Sequence, residues 1–177
     1  MTIIIRDAAP DEAALLSDLA LRSKAYWGYS DEFMEACRQE LTVLPSHIKN
    51  GRIHFSVAER QCNTVGFYAI ERLSDSEFEL AALFVEPMHI GSGVGRALIN
   101  HAKNHAAALG GRVIIVQSDP NAEKFYRAAG GRLTGVQESR SIPGRLLPTL
   151  EILLKETRCR AVPASHLQAG RSSRNDL

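Results

Sequence analysis

Leu83-Phe84-Val85-Glu86-Pro87-Met88-His89-Ile90-Gly91-Ser92-Gly93-Val94-Gly95-Arg96-Ala97-Leu98 decides how the rest of the chain is read. A run of β-type residues meets Pro87, glycine then stands at every second position from Gly91 to Gly95, and a helical pattern begins at once. The stretch reads as a strand, a bare turn and a helix start. The opening of a helix leaves its first amide N–H groups unpaired and carries partial positive charge, so it favours an anion such as a pyrophosphate. The glycines remove the side chains that would shield those amides and allow backbone angles that a Cβ resists.

Two familiar phosphate loops fail on the residues themselves. A P-loop ends in Gly-Lys-Ser/Thr, whereas Gly95 is followed by Arg96-Ala97, so no side chain is placed for magnesium. The dinucleotide fingerprint needs glycine at its sixth position, which is Arg96 here. A structural strand-to-helix turn in some other α/β domain also fits this stretch taken alone.

Working outward, the helix that starts at Gly95 runs to Leu109, with Leu98, Ile99, Ala102, Ala106 and Leu109 on one face. His101 and His105 are four residues apart, but no third ligand accompanies them, so they read as flanking positions rather than a metal site. Gly110-Gly111 stops the helix, and Val113-Ile114-Ile115-Val116 reads as a strand buried on both faces. Strand, helix and strand at this spacing imply a right-handed parallel crossover. A second motif follows, Ser118-Asp119-Pro120-Asn121-Ala122-Glu123-Lys124-Phe125-Tyr126-Arg127-Ala128-Ala129-Gly130-Gly131. Asp119 can cap a short helix that Pro120 opens and Gly130 ends.

Upstream, Thr2 to Asp7 reads as a first strand and Pro10 to about Lys24 as a helix. Asp31 to about Leu41 reads as a second helix capped by Ser30 or Asp31, and Pro45 ends that region. Arg52 to Glu59 and Thr64 to Leu73 read as a hairpin. His54 faces away from the apolar row Ile53, Phe55 and Val57, as a surface or groove histidine. Ser76 to Val85 is the strand that delivers the glycine turn, with Phe78, Leu80, Ala82 and Phe84 on one face and Glu79 on the other. Arg132 to Glu138 and Pro148 to Lys155 read as two last strands.

Composition bounds the function. At 177 residues and 45% hydrophobic content the chain fits one domain with a sizeable core. A formal charge of +1, from 21 basic and 20 acidic residues, gives no field that favours nucleic acid or an anionic membrane. Three scattered cysteines, Cys37, Cys62 and Cys159, suit neither a disulfide framework nor a metal site, and they lack a local setting that lowers a thiol pKa. No apolar run approaches a signal peptide or a membrane span, so a cytoplasmic protein without a metal is expected. Residues 157–177 read as a polar, flexible C-terminal tail after a domain covering 1–156.

The two motifs together resemble the GNAT superfamily of N-acetyltransferases. The first resembles that family's acyl-CoA loop, Gln/Arg-x-x-Gly-x-Gly/Ala opening a helix, with Gly93 and Gly95 at the small positions and Ile90 in place of Gln or Arg. The second resembles its Asn-x-x-Ala-x-x-Phe-Tyr signature, with Ala122 and Tyr126 in place, Asp119 where asparagine is usual, and Gly131 replacing a phenylalanine. The resemblance implies an α/β (α+β) domain with a mixed, curved sheet of six or seven strands flanked by about four helices.

It further implies acetyl-CoA as co-substrate and direct attack on its thioester by a primary amine of a small molecule or peptide. Phe84, Val85, Ile90, Gly91, Ser92, Gly93, Val94, Gly95 and Arg96 then meet the cofactor, with Asp119 or Asn121 on the pantetheine arm. Backbone N–H groups near Leu83 to Val85 stabilise the oxyanion. Tyr126 protonates the departing thiolate, which is chemically reasonable for a phenol of pKa ~10 beside a thiol of pKa ~8.5. Tyr26, Trp27 and Tyr29 either plug the core or line the acceptor pocket, and Arg145 either meets an acidic substrate group or stays solvated. Glu79 is either a solvated charge or the base that relieves the ammonium of its proton. A homodimer is left open, and the alternative to catalysis is an acyl-CoA-binding regulatory domain.

Overall fold

The computed structural model describes residues 2–155. Its seven-stranded sheet has the order β1-β2-β3-β4-β5-β7-β6. The strands are β1 (Ile4–Asp7), β2 (Ile53–Arg60), β3 (Asn63–Arg72), β4 (Glu77–Val85), β5 (Val113–Gln117), β6 (Gly131–Glu138) and β7 (Leu146–Leu153). All neighbours are antiparallel except β4 and β5. The helices are α1 (Ala13–Ala25), α2 (Asp31–Leu41), the one-turn α3 (Pro45–Lys49), α4 (Val94–Ala108) and α5 (Glu123–Ala128). The tail expected over 157–177 lies outside the described residues.

The sheet is packed on both faces. Leu16, Leu19 and Ala20 of α1 and Cys37 and Leu41 of α2 bury against Phe55, Val57, Phe67 and Ala69. On the opposite face Val94, Leu98, Ile99, Ala102 and Ala106 of α4 and Tyr126 of α5 pack on Tyr68, Ile70, Phe78, Ile114 and Leu150. The expected caps are in place: Ser30 Oγ accepts the Phe33 N–H at 3.2 Å, and an Asp119 carboxylate oxygen accepts the Asn121 N–H at 3.0 Å. Pro45 opens α3 rather than ending a region, since proline suits a first helical turn as well as a break.

Two departures from simple periodicity shape the site. Ala69 pairs with Ala82 but Ile70 pairs with Leu80, so Ala81 is an extra residue in β4. This β-bulge reverses the alternation. Phe78 and Leu80 face α4, whereas Ala82 and Phe84 face α1 and α2, which corrects the expectation of one shared face. Past the bulge β4 also leaves β5. The parallel ladder holds only Glu77 with Val113, Phe78 with Ile114 and Glu79 with Ile115, while β5 continues along β7 through Val116 and Gln117. A wedge therefore opens between neighbouring strands. The second departure is β5 itself: Ile114 and Val116 are buried, but Val113 and Ile115 are only half-buried, because the core under α1 and α2 takes no buried residue from β5.

Candidate active site

The wedge is the mouth of a cavity of about 520 Å³. One wall is β4 from Leu80 to Val85, and the glycine turn, α5, the β6–β7 loop and the facing ends of α1 and α2 line the rest. After the short turn Pro87–His89, Gly91 and Gly93 take φ of +81° and +90°, a left-handed conformation that disfavours any residue with a Cβ. Gly93 is the N-cap of α4. Gly95 is small for a different reason: a Cβ there would stand 3.2 Å from the Phe125 ring. Ile90, Gly91, Gly93, Gly95 and Arg96 all line the cavity. The side chains of Ser92 and Val94 do not, since Val94 is in the core and Ser92 faces outward.

A residue the sequence reading missed sits behind this turn. Arg60, at the end of β2, donates from Nη2 to the Ser92 carbonyl at 3.4 Å and from Nη1 to its hydroxyl at 3.5 Å. The residues Gln61 and Cys62, both at positive φ, make the tight hairpin that delivers it. The hairpin matches the expectation, but nothing in Arg60-Gln61-Cys62-Asn63 marks Arg60 as reaching the glycine turn. Arg60 thus adds a guanidinium near the loop whose usual Gln or Arg position is Ile90.

Tyr126 lies in the cavity wall on α5, its ring edge-on to Phe125 at 5.0 Å. The residue is 7% exposed, and its hydroxyl bonds to no protein group among the described residues. Burial, and then the negative charge of Asp119, raise its pKa well above the ordinary phenol range, so it keeps its proton at neutral pH. On β4, the amide of Val85 is already taken by the Ser23 hydroxyl at 3.3 Å. Val85 is therefore removed from the expected oxyanion donors.

Asp119 is the centre of a polar cluster that links four parts of the chain. Its carboxylate accepts the Tyr29 hydroxyl at 2.9 Å and Arg145 Nη2 at 3.1 Å, and Lys24 Nζ lies 3.5 Å away. Tyr29 in turn accepts from Arg145 Nη2 at 2.7 Å and from Asn121 Nδ2 at 2.9 Å. Burial alone disfavours the Asp119 carboxylate, but the Asn121 N–H, Tyr29, Lys24 and Arg145 outweigh it and hold its pKa below the usual carboxylate value. Burial and the bond to Asp119 raise the pKa of Tyr29. Tyr29 stacks on Phe33 at 4.1 Å, and the Arg145 guanidinium lies 4.7 Å from the Phe33 ring centre.

The remaining expected residues divide. Trp27 and Phe84 line the cavity, while Tyr26 stands outside, edge-on to Trp27 at 5.3 Å. Asp119, Asn121 and Arg145 line it, and Tyr29 backs them. Glu79 does not line it; it accepts from Gln117 Nε2 at 3.4 Å, and Gln117 is the residue that faces the cavity. Glu40 at the end of α2, not anticipated, is a lining carboxylate without an ion pair among the described residues. His54 is half-buried, in keeping with a groove histidine: it bonds Ser56 at 3.0 Å, lies 3.2 Å from an Asp7 carboxylate oxygen and stacks on His105 at 4.0 Å, while His101 bonds Tyr68 at 3.0 Å. Among the described residues no set of His, Cys, Asp or Glu is placed to hold a metal ion, and no helix is long and apolar enough to cross a membrane.

The β4–β5 pair splays beside the helix start at Gly93, and Tyr126 lies in the wall of the cavity that opens there. The chain belongs to the GNAT acetyltransferase family, whose sequence model, described as an acetyltransferase (GNAT) domain, matches residues 12–141. That family comprises acyl-CoA-dependent N-acetyltransferases, and the chain is an enzyme of this class. The fold is similar to a GCN5-related N-acetyltransferase from Rhodopseudomonas palustris, with a TM-score of 0.73 at 23% identity over 87% of this chain and 97% of that one. It is similar to the PaiA N-acetyltransferase from Thermoplasma acidophilum in complex with coenzyme A, with a TM-score of 0.69 at 20% identity over 86% and 99%. An IAA acetyltransferase from Bacillus cereus gives 0.60 at 18% identity over 86% and 100%. No curated protein matches the sequence.

Proposed function

We propose that the protein transfers an acetyl group from acetyl-CoA to a primary amine of a small molecule or peptide in the cytoplasm, by direct attack and without a metal. The observation that carries this reading is the hydroxyl of the buried residue Tyr126, which has no protein partner among the described residues and is open to the cavity that begins at the glycine turn. The amides of Gly91 and of Gly93 to Arg96 hold the diphosphate, those of Ile90 and Ser92 being taken by the Pro87 and His89 carbonyls, with Arg96 and Arg60 adding positive charge. The pantetheine arm enters the wedge, where β4 beyond Glu79 has no ladder partner on its β5 side. Asn121 is the better of the two candidates for that arm, because the Asp119 carboxylate is fully engaged.

The amine nitrogen attacks the thioester carbonyl, the carbon–sulfur bond breaks, the sulfur takes the Tyr126 proton, and the proton that the nitrogen loses as the amide forms returns to the Tyr126 oxygen. An alkyl ammonium has a pKa of ~10.4 and must first lose a proton. Glu40 is the lining carboxylate closest in character to that task, while Glu79 serves only through Gln117. A screen of amines for thiol release from acetyl-CoA tests the proposal. Turnover with a primary amine supports it; acetyl-CoA binding with no release across the panel supports a regulatory acyl-CoA-binding domain instead.

A further inference from the structure

Lys24 and Arg145 are 13% and 16% exposed at their side chains, both line the cavity, and they share a single carboxylate, that of Asp119. Buried charge is stable when paired one to one and fully hydrogen-bonded. Among the described residues one positive charge is left over. The spare donors are also visible: Arg145 uses only Nη2, so Nε and Nη1 make no hydrogen bond among the described residues, and neither is sealed from solvent. Lys24 Nζ has three protons, and its one charged partner among the described residues is Asp119 at 3.5 Å, with the Tyr29 and Phe33 ring centres each 5.7 Å away. Stacking on Phe33 and Tyr29 fixes the plane of the Arg145 guanidinium, and with Nη2 committed to Tyr29 and Asp119 its Nη1 is left as a single charge-assisted donor to an anion.

The glycine turn cannot supply the missing anion. It opens α4 on one face of the sheet, whereas Lys24, Tyr29 and Phe33 belong to α1, α2 and their loop on the other. Glu40 lines the same cavity but pairs with neither cation.

We infer that this end of the cavity binds a carboxylate carried by the acceptor, so that the substrate class is an amine that also bears a carboxylate. The inference rests on the acetyl-transfer reading above for the word acceptor, and its test is a binding measurement that needs no turnover. Protein saturated with coenzyme A is titrated calorimetrically with N-acetylglycine, N-acetylleucine and N-acetylphenylalanine, and with the carboxamide of each. The expected result is that at least one acid binds about tenfold or more tightly than its amide. In Arg145→Gln that preference falls to within about twofold, while coenzyme A affinity reports that the variant is folded. Should Arg145→Gln fail to bind coenzyme A, Lys24→Met carries the same comparison from a different element. Equal binding of every acid and its amide, no binding of any acid, or a preference that survives both substitutions overturns the inference. Selective binding of the acids by a protein that releases no thiol with any amine would keep this site and remove acetyl transfer.

Discussion

Arg145 Nη2 donates to the Tyr29 hydroxyl at 2.7 Å, joining the β6–β7 loop to the α1–α2 loop across a separation of 116 residues. The same hydroxyl donates to Asp119 and accepts from Asn121, so one phenol satisfies three polar neighbours. Tyr29→Phe leaves the Arg145 and Asn121 donors and the Asp119 acceptor each one partner short. It is expected to cost about 1–2 kcal/mol and to lower Tm by about 3–6 °C, read by thermal denaturation. An unchanged Tm would show that the bond is not held in solution.

Tyr126→Phe keeps the ring packing on Phe125 and removes only the proton donor. The expected outcome is a fall in kcat of about a hundredfold or more with coenzyme A affinity within about twofold of the parent. A loss of affinity with kcat preserved would assign the hydroxyl to binding instead.

The two carboxylates separate by location. Glu40→Gln is expected to lower kcat/KM by about tenfold or more, with a changed pH profile, because this group lines the cavity. Glu79→Gln, which acts only through Gln117, changes it less. The reverse order, measured in steady-state assays from pH 6 to 9, returns Glu79 to the role of base.

Acid is expected to weaken the fold through His105. Burial first, then the neighbouring His54 and His101, lower its pKa in the folded protein below the ordinary value of 6.5. The unfolded chain therefore binds more protons than the folded one, so the contribution is fully present above pH ~6.5 and is lost as pH falls toward the folded pKa. Asp119 and Glu12, whose pKa values are also lowered on folding, extend the loss to lower pH as they are protonated. Tm measured from pH 7.5 to 5.5 should decline, and His105→Gln should flatten that decline; equal slopes in the two proteins would contradict this.

The two phosphate and tyrosine motifs were legible because each is contiguous and carries its own turn chemistry. Gly93 must be glycine for its backbone angle and Gly95 for the Phe125 ring, and local sequence encodes both elements. The Asp119 cluster was legible only in part. Asp119, Asn121, Tyr29 and Arg145 stood out singly, but Lys24 and Phe33 look like ordinary helix residues until the fold brings α1 and α2 over the end of β5. Glu79 stands out in the sequence as a carboxylate on the strand that delivers the glycine turn, but it lies where β4 still pairs with β5, ahead of the bulge at Ala81 that precedes the wedge. Nothing in a single sequence marks a bulge among apolar residues.

The central claim is that main-chain amides of the glycine turn hold the diphosphate of acetyl-CoA, and calorimetric titration of the parent protein and Gly93→Ala tests it most directly. At φ +90° an alanine is strained by about 1–3 kcal/mol although its Cβ meets no atom within 4 Å, so the turn deforms while the fold remains. The account predicts saturable one-site binding of acetyl-CoA to the parent and at least about tenfold weaker binding to the variant. No binding by the folded parent, or equal affinity in both proteins, would contradict it.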